Sequence, residues 1–114
     1  MRRIYRHGDV NLIEVSREQF ETAKRTGRVL PPCSTYALAR GEATGSVHAL
    51  SVEDAHTMEL LECDGRLWLR LEDSGTLTHT SDHAPLTIEP THYVQVPERE
   101  VDYFADAVVR KVVD

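Results

Sequence analysis

Three of the chain's six histidines, His79, His83 and His92, fall in one stretch, LTHTSDHAPLTIEPTHYVQVP, from Leu77 to Pro97. Imidazole is the commonest protein ligand for zinc, copper, iron and nickel, and it gains or loses its proton near neutral pH. His79 and His83 stand four apart on what reads as a loop held by a hairpin edge. His48 sits in the alternating run SVHALSV, which places it on one sheet face, and Glu42 precedes the end of the turn Gly41–Gly45. If that strand lies beside the loop, His48, His79 and His83 offer three nitrogens to a divalent metal (Zn, Fe or Ni), with Glu42 close by. The plainer alternative leaves His48 half-exposed on its strand, with His79 and His83 bonded to loop backbone and Ser81 and Asp82 as turn formers.

Other chemistries find no footing. The chain has no Gly-rich phosphate loop, no GxSxG and no HExxH. Nothing brings Glu42 to Glu53 or Asp54 at the separation that paired carboxylates need. His7-Gly8-Asp9 reads first as a turn, since Gly and Asp are standard turn formers. Whether the protein is an enzyme stays open.

The totals bound the rest. A chain of 114 residues predicts one domain, spanning 1–114, with a core large enough to need no staples. A net charge of −6 argues against nucleic acid, which requires clustered Lys and Arg. The one dense basic cluster, Arg2, Arg3 and Arg6 with His7, reads as a solvated start to the chain. Cys33 and Cys63 form no CxxC pair, and there is neither a signal-like apolar stretch nor a run long enough to span a membrane. The expectation is a cytoplasmic protein with free thiols, away from membranes.

The elements that must position the histidines are short. DVNLIEV, Asp9 to Val15, reads as a strand, and Ser16-Arg17-Glu18-Gln19 as a capping box opening a helix over Ser16 to Thr26. That helix has a thin apolar face, Phe20 and Ala23, so it should lie on a sheet, with Gly27 following its last turn. Strands follow at Ser34–Arg40 and Ser46–Val52. TMELLEC and RLWLRLE flank Asp64-Gly65, the preferred pair for a two-residue type I′ turn. That loop sets Leu61 opposite Trp68 and Glu59 opposite Arg70, and it makes Met58, Leu60, Leu67, Leu69 and Leu71 the core face. Short strands are expected at Gly75–His79, Ala84–Glu89 and His92–Val96. Val101–Asp114 fits either a helix or, slightly better, a bulged strand. Turn signals every 8–12 residues predict a mainly β fold, a compact antiparallel sandwich or small barrel with one short N-terminal helix.

RHGDV (6–10), ARGEATGSVHAL (39–50), THTSDHAPLTIEPTHYVQV (78–96) and PEREV (97–101) together resemble a small uncharacterised bacterial family. Its pattern reads RHGDV, GE-x-TGH-x-H, H-x-x-H-x-P-I, a P-x-x-Y strand and a QREY-like end. The chain departs from it at Ser46, where a histidine is expected, and by one extra residue between His79 and His83. The resemblance carries no known activity. It implies that Glu42, Thr44, Gly45, His48, His79 and His83 share one functional surface, with Glu42, Thr44 and His48 contacting a ligand. The expectation is therefore a small β-domain whose histidine-containing pocket binds a small ligand or a divalent metal. The alternative is a protein-interaction or assembly module, its partner or second copy seated on exposed Leu61, Trp68 and the C-terminal valines. A homo-oligomer would also protect the edges that many short strands create.

Overall fold

The structure, a computed structural model, describes residues 2–40, 47–80 and 84–101. Its strands are β1 (Ile4–His7), β2 (Val10–Val15), β3 (Arg28–Val29), β4 (Thr35–Arg40), β5 (Val47–Ser51), β6 (Met58–Cys63), β7 (Arg66–Leu71), β8 (Gly75–His79), β9 (Leu86–Ile88) and β10 (His92–Gln95), with helix α1 (Arg17–Thr26) after β2. They form two antiparallel sheets, one ordered β1-β2-β10-β7-β6-β3 and the other β4-β5-β8-β9. This is the sandwich of the two expected forms. Among the described residues the sheets do not join into a closed barrel, so the barrel alternative is set aside.

The central hairpin follows its turn. Asp64 and Gly65 both take positive φ, 53° and 73°, as a type I′ turn demands. The predicted register results, with Leu61 opposite Trp68 and Glu59 opposite Arg70. Its inner face, with Val10, Leu12 and Tyr93, packs against Leu50, Leu77 and Ile88 of the second sheet to make the main core. Each such buried side chain stabilises the fold by about 1.5–3 kcal/mol relative to exposure.

The other face of the six-stranded sheet is also covered. The Ser16 hydroxyl accepts from the Gln19 amide at 3.0 Å and the Gln19 side chain accepts from the Ser16 amide at 2.8 Å, so the capping box is present. It starts α1 at the angle that seats Phe20 and Ala23 on Leu61 and Cys63, with Trp68 alongside. Ile13, Val15, Val94, Val96 and Val101 form a neighbouring cluster on the same face. This explains the slipped alternation in VNLIEV: β2 lies between two apolar layers and is buried on both sides. It also corrects the assembly surface drawn from sequence, because Leu61 is fully buried beneath α1 and Trp68 is only partly exposed. The C-terminal valines beyond Val101 lie outside the described residues.

The basic N-terminus leads into a strand, with Arg3 and Arg6 exposed as a solvated start requires and His7 buried. β1 pairs with β2 through a two-residue Gly8-Asp9 turn that sets His7 opposite Val10, with Gly8 at φ 61°. Gly27 has an ordinary extended φ of −96°, so its need for glycine is steric. A Cβ there would collide with the Glu62 carbonyl oxygen and lie 3.0 Å from the Cys63 Cβ, since helix and β6 meet closely at this point. Glu59 ties the layers from the same strand, 2.7 Å from Lys24 of α1 and 3.3 Å from Arg70 of β7. Burial acts against its charge, but the hydrogen bonds from Lys24 and Arg70 outweigh it and hold the carboxyl below the usual range.

Two outcomes test this packing. Leu61→Ala is expected to lower the unfolding free energy by about 2–5 kcal/mol in urea titration, as for a core leucine; a change under about 0.5 kcal/mol would restore the surface reading. Gly27→Ala is expected to cost about 1–3 kcal/mol by overpacking in the same assay.

Candidate functional site

The inner face of the sandwich turns from aliphatic to imidazole at one end. His48 lies two residues before Leu50 on β5 and His79 two residues after Leu77 on β8, and alternation keeps each on the core side of its strand. His7 follows Tyr5 in the same way on β1. The β5–β8 register pairs His48 with His79 and Leu50 with Leu77, so two leucines are continued by two histidines. Thr80 extends that pairing: its hydroxyl accepts from the Val47 amide at 3.1 Å and its own amide donates to the Val47 carbonyl at 3.3 Å.

The three rings meet. His48 and His79 have centroids 4.2 Å apart and are tilted by 46°. His7 stands edge-on to His48 at 87°, with centroids 5.3 Å apart and the two Nδ1 atoms separated by 3.2 Å. His7 and His48 are buried, at 6% and 7% exposure. On its far side His7 Nε2 lies 3.1 Å from the Ala84 carbonyl oxygen. A carbonyl only accepts, so His7 Nε2 carries a hydrogen, and in the neutral ring Nδ1 is an acceptor. His48 Nδ1 must then donate to it, and in a neutral His48 ring the lone pair is on Nε2. One backbone carbonyl thus fixes the tautomers of two rings.

Of the residues singled out from sequence, the structure brings His48 and His79 together. His48 is buried rather than half-exposed. His83, Glu42 and Thr44, with Gly45 and Ser46, lie outside the described residues. Sequence reasoning missed His7, although it stands in the RHGDV segment. The usable signal was the Gly-Asp turn, because a two-residue hairpin there makes the preceding residues a strand, on which His7 shares the face of Tyr5. Among the described residues, no group of three or more His, Cys, Asp and Glu side chains is arranged to hold a metal ion.

Clefts also lie away from these rings: one of about 620 Å³ is lined by Glu59, Arg70 and His92, and two more are wider. One of about 820 Å³ runs beside the β6–β7 turn, with Arg28, Arg66, Gln95 and the Tyr36–Leu38 segment in its walls. The other, about 890 Å³, follows α1 past Arg2, Arg17 and Trp68. Volume favours them, but chemistry favours the histidine end. Arg28 and Arg66 are engaged with Glu62 and Glu100, at 2.8 and 2.7 Å, and among the described residues neither cleft holds three or more His, Cys, Asp and Glu side chains arranged for a metal ion. His92, a strand residue as predicted, packs its ring 5.1 Å from that of Phe20. Among the described residues, no helix is long and apolar enough to cross a membrane.

Fold and site together define an antiparallel β-sandwich domain with three imidazoles closing one end of its interior. Residues 6–97 match the family model described as a domain of unknown function, DUF8820, and the chain belongs to that family. The matched span contains His7, His48 and His79. Neither the curated proteins nor the solved structures contain a match.

The environment of His92 gives a pH prediction. Burial, with help from the Arg70 charge, holds its imidazole below the usual range, against the weaker pull of Glu21. The unfolded chain, titrating near pH 6.5, therefore takes up this proton more readily than the folded one. The stability that neutral His92 contributes is present above pH 6.5 and is lost as pH falls through its lower folded value. In urea titrations at pH 7.5 and 5.5, His92→Gln is expected to lose less stability on acidification than the wild type. An equal loss in both proteins would refute it.

Proposed function

We propose that this DUF8820 domain is a small binding domain that takes its ligand at the histidine end of the sandwich. One observation carries the reading: His7, His48 and His79 come from three strands and meet ring against ring where the leucine layer stops. Burying polar rings costs free energy that a leucine or valine at those positions would not. Imidazoles give in return what a leucine lacks, directional nitrogens whose donor and acceptor roles are set in advance. The ligand class is accordingly small and polar, recognised by hydrogen bonding or by coordination to nitrogen. Glu42 and Thr44, which the sequence places just before β5, and His83, just before Ala84, are the further residues proposed to contact it.

The test is ligand mapping by NMR, in chelator-treated buffer, with a panel of small carboxylic acids, amides and phenols. Shift changes are expected to gather on His7, His48, His79 and Ala84. Changes confined to Asp64–Leu67 or to the α1 cleft, or none up to the solubility of the panel, would overturn the proposal.

A further inference from the structure

We infer that the His7–His48 pair is a two-nitrogen site for a divalent transition cation, which would take the place of the proton now shared between the rings. This deepens the binding reading above and rests on it. Two imidazole nitrogens on one tetrahedral zinc, each bonded at ~2.0–2.1 Å, lie roughly 3.3 Å apart. The His7 and His48 Nδ1 atoms are 3.2 Å apart. The pair therefore closes around a cation with almost no change in nitrogen separation. His7 is also oriented as metal-bound histidines are, with its second nitrogen donating to a carbonyl oxygen, here that of Ala84.

The protons balance. The neutral pair carries two N–H groups, on His7 Nε2 and His48 Nδ1. Coordination through both Nδ1 atoms requires the His48 hydrogen to leave Nδ1 and its Nε2 to become the protonated nitrogen. That is a change of tautomer, so the pair neither gains nor loses a proton overall. The cation gives up bound water for two nitrogens.

The donor set also selects the metal. Two imidazoles suit zinc, nickel and copper, whereas magnesium and calcium prefer oxygen ligands. His79 packs against the His48 ring at 4.2 Å, and no described group supplies three or more metal-holding side chains. The pair alone leaves coordination positions to water or to a small ligand with an anionic or lone-pair donor. A small ligand with such a donor gains affinity when the cation is present, beyond what the pocket alone provides.

The experiment uses metal-stripped full chain titrated with Zn²⁺, Ni²⁺ and Mg²⁺ by calorimetry, with imidazole ¹⁵N spectra of the same samples. One equivalent of Zn²⁺ or Ni²⁺ is expected to bind and Mg²⁺ not, with His48 Nε2 changing from acceptor to protonated nitrogen in the zinc sample. His7→Gln and His48→Gln should each weaken Zn²⁺ binding by at least about tenfold, while exposed His56→Gln leaves it unchanged. If either variant fails to fold, the tautomer change in the wild-type spectrum decides alone. Absence of uptake at millimolar Zn²⁺ by folded wild type, or uptake with no change at either Nδ1, would overturn the inference and leave a shared proton only. Ligand mapping in chelator is a separate readout, so a positive map with no metal uptake would reject the cation and keep the binding site.

Discussion

The meeting of the histidines depends on the register between β5 and β8, because side chains alternate faces along a strand. A one-residue slip of β5 would send His48 and Leu50 from the core to the outside together, and a slip of β8 would do the same to His79 and Leu77. The register is therefore held by the aliphatic pair as much as by the imidazoles, and the cost of misplacing two leucines protects the placement of two histidines. Gly75 adds a steric lock at the start of β8: a Cβ there would lie 3.0 Å from Leu50 and 3.3 Å from Leu71. Packing at one end of the strand thus fixes chemistry at the other.

The third ring depends on how the two sheets are joined along their β1 and β9 edges. Among the described residues no backbone ladder connects them, yet side chains do. The Glu89 amide donates to the Tyr5 hydroxyl at 3.3 Å, and the Tyr93 hydroxyl donates to the Glu89 carbonyl. The two tyrosine rings stand edge to face with centroids 5.8 Å apart. Burial, reinforced by Tyr5, pushes the Tyr93 phenol well above its ordinary range, so it keeps the hydrogen it donates. The contact of His7 with the Ala84 carbonyl belongs to the same seam, and one residue thereby serves both to join the sheets and to orient the site. Unpaired strand edges invite association with other chains, and this seam covers two of them.

Much of the fold was legible where local chemistry dictates geometry. Asp64-Gly65 allows few backbone solutions, and Ser16 with Gln19 marks a helix start by mutual hydrogen bonding. What the sequence hid was burial that comes from distant elements. Leu61 and Trp68 alternate as an outward face should, and only the docking of α1, set by the thin stripe of Phe20 and Ala23, makes that face interior. Arg2 and Arg3 before β1 and Arg6 within it mask the strand, because a run of charge at a terminus reads as solvated. The site was half legible. His48 and His79 stood out by type and alternation, whereas His7 was read as a turn residue, which it also is. A turn residue becomes a site residue only when the strands it joins are known to face the pair.

The strand order has a consequence for how the chain reaches its final form. β10 lies between β2 and β7, although it is the last described strand in the chain. The β1–β2 hairpin and the β6–β7 hairpin can each form locally, but neither touches the other in the ladder until residues 92–95 insert between them. On the ribosome the larger sheet stays in two halves until almost the whole matched span has emerged. Its completion closes long loops late, the ordering that makes β-rich domains slow folders. β10 is a keystone strand: four residues, each with partners on the β2 side and three on the β7 side, convert two hairpins into a single cooperative unit.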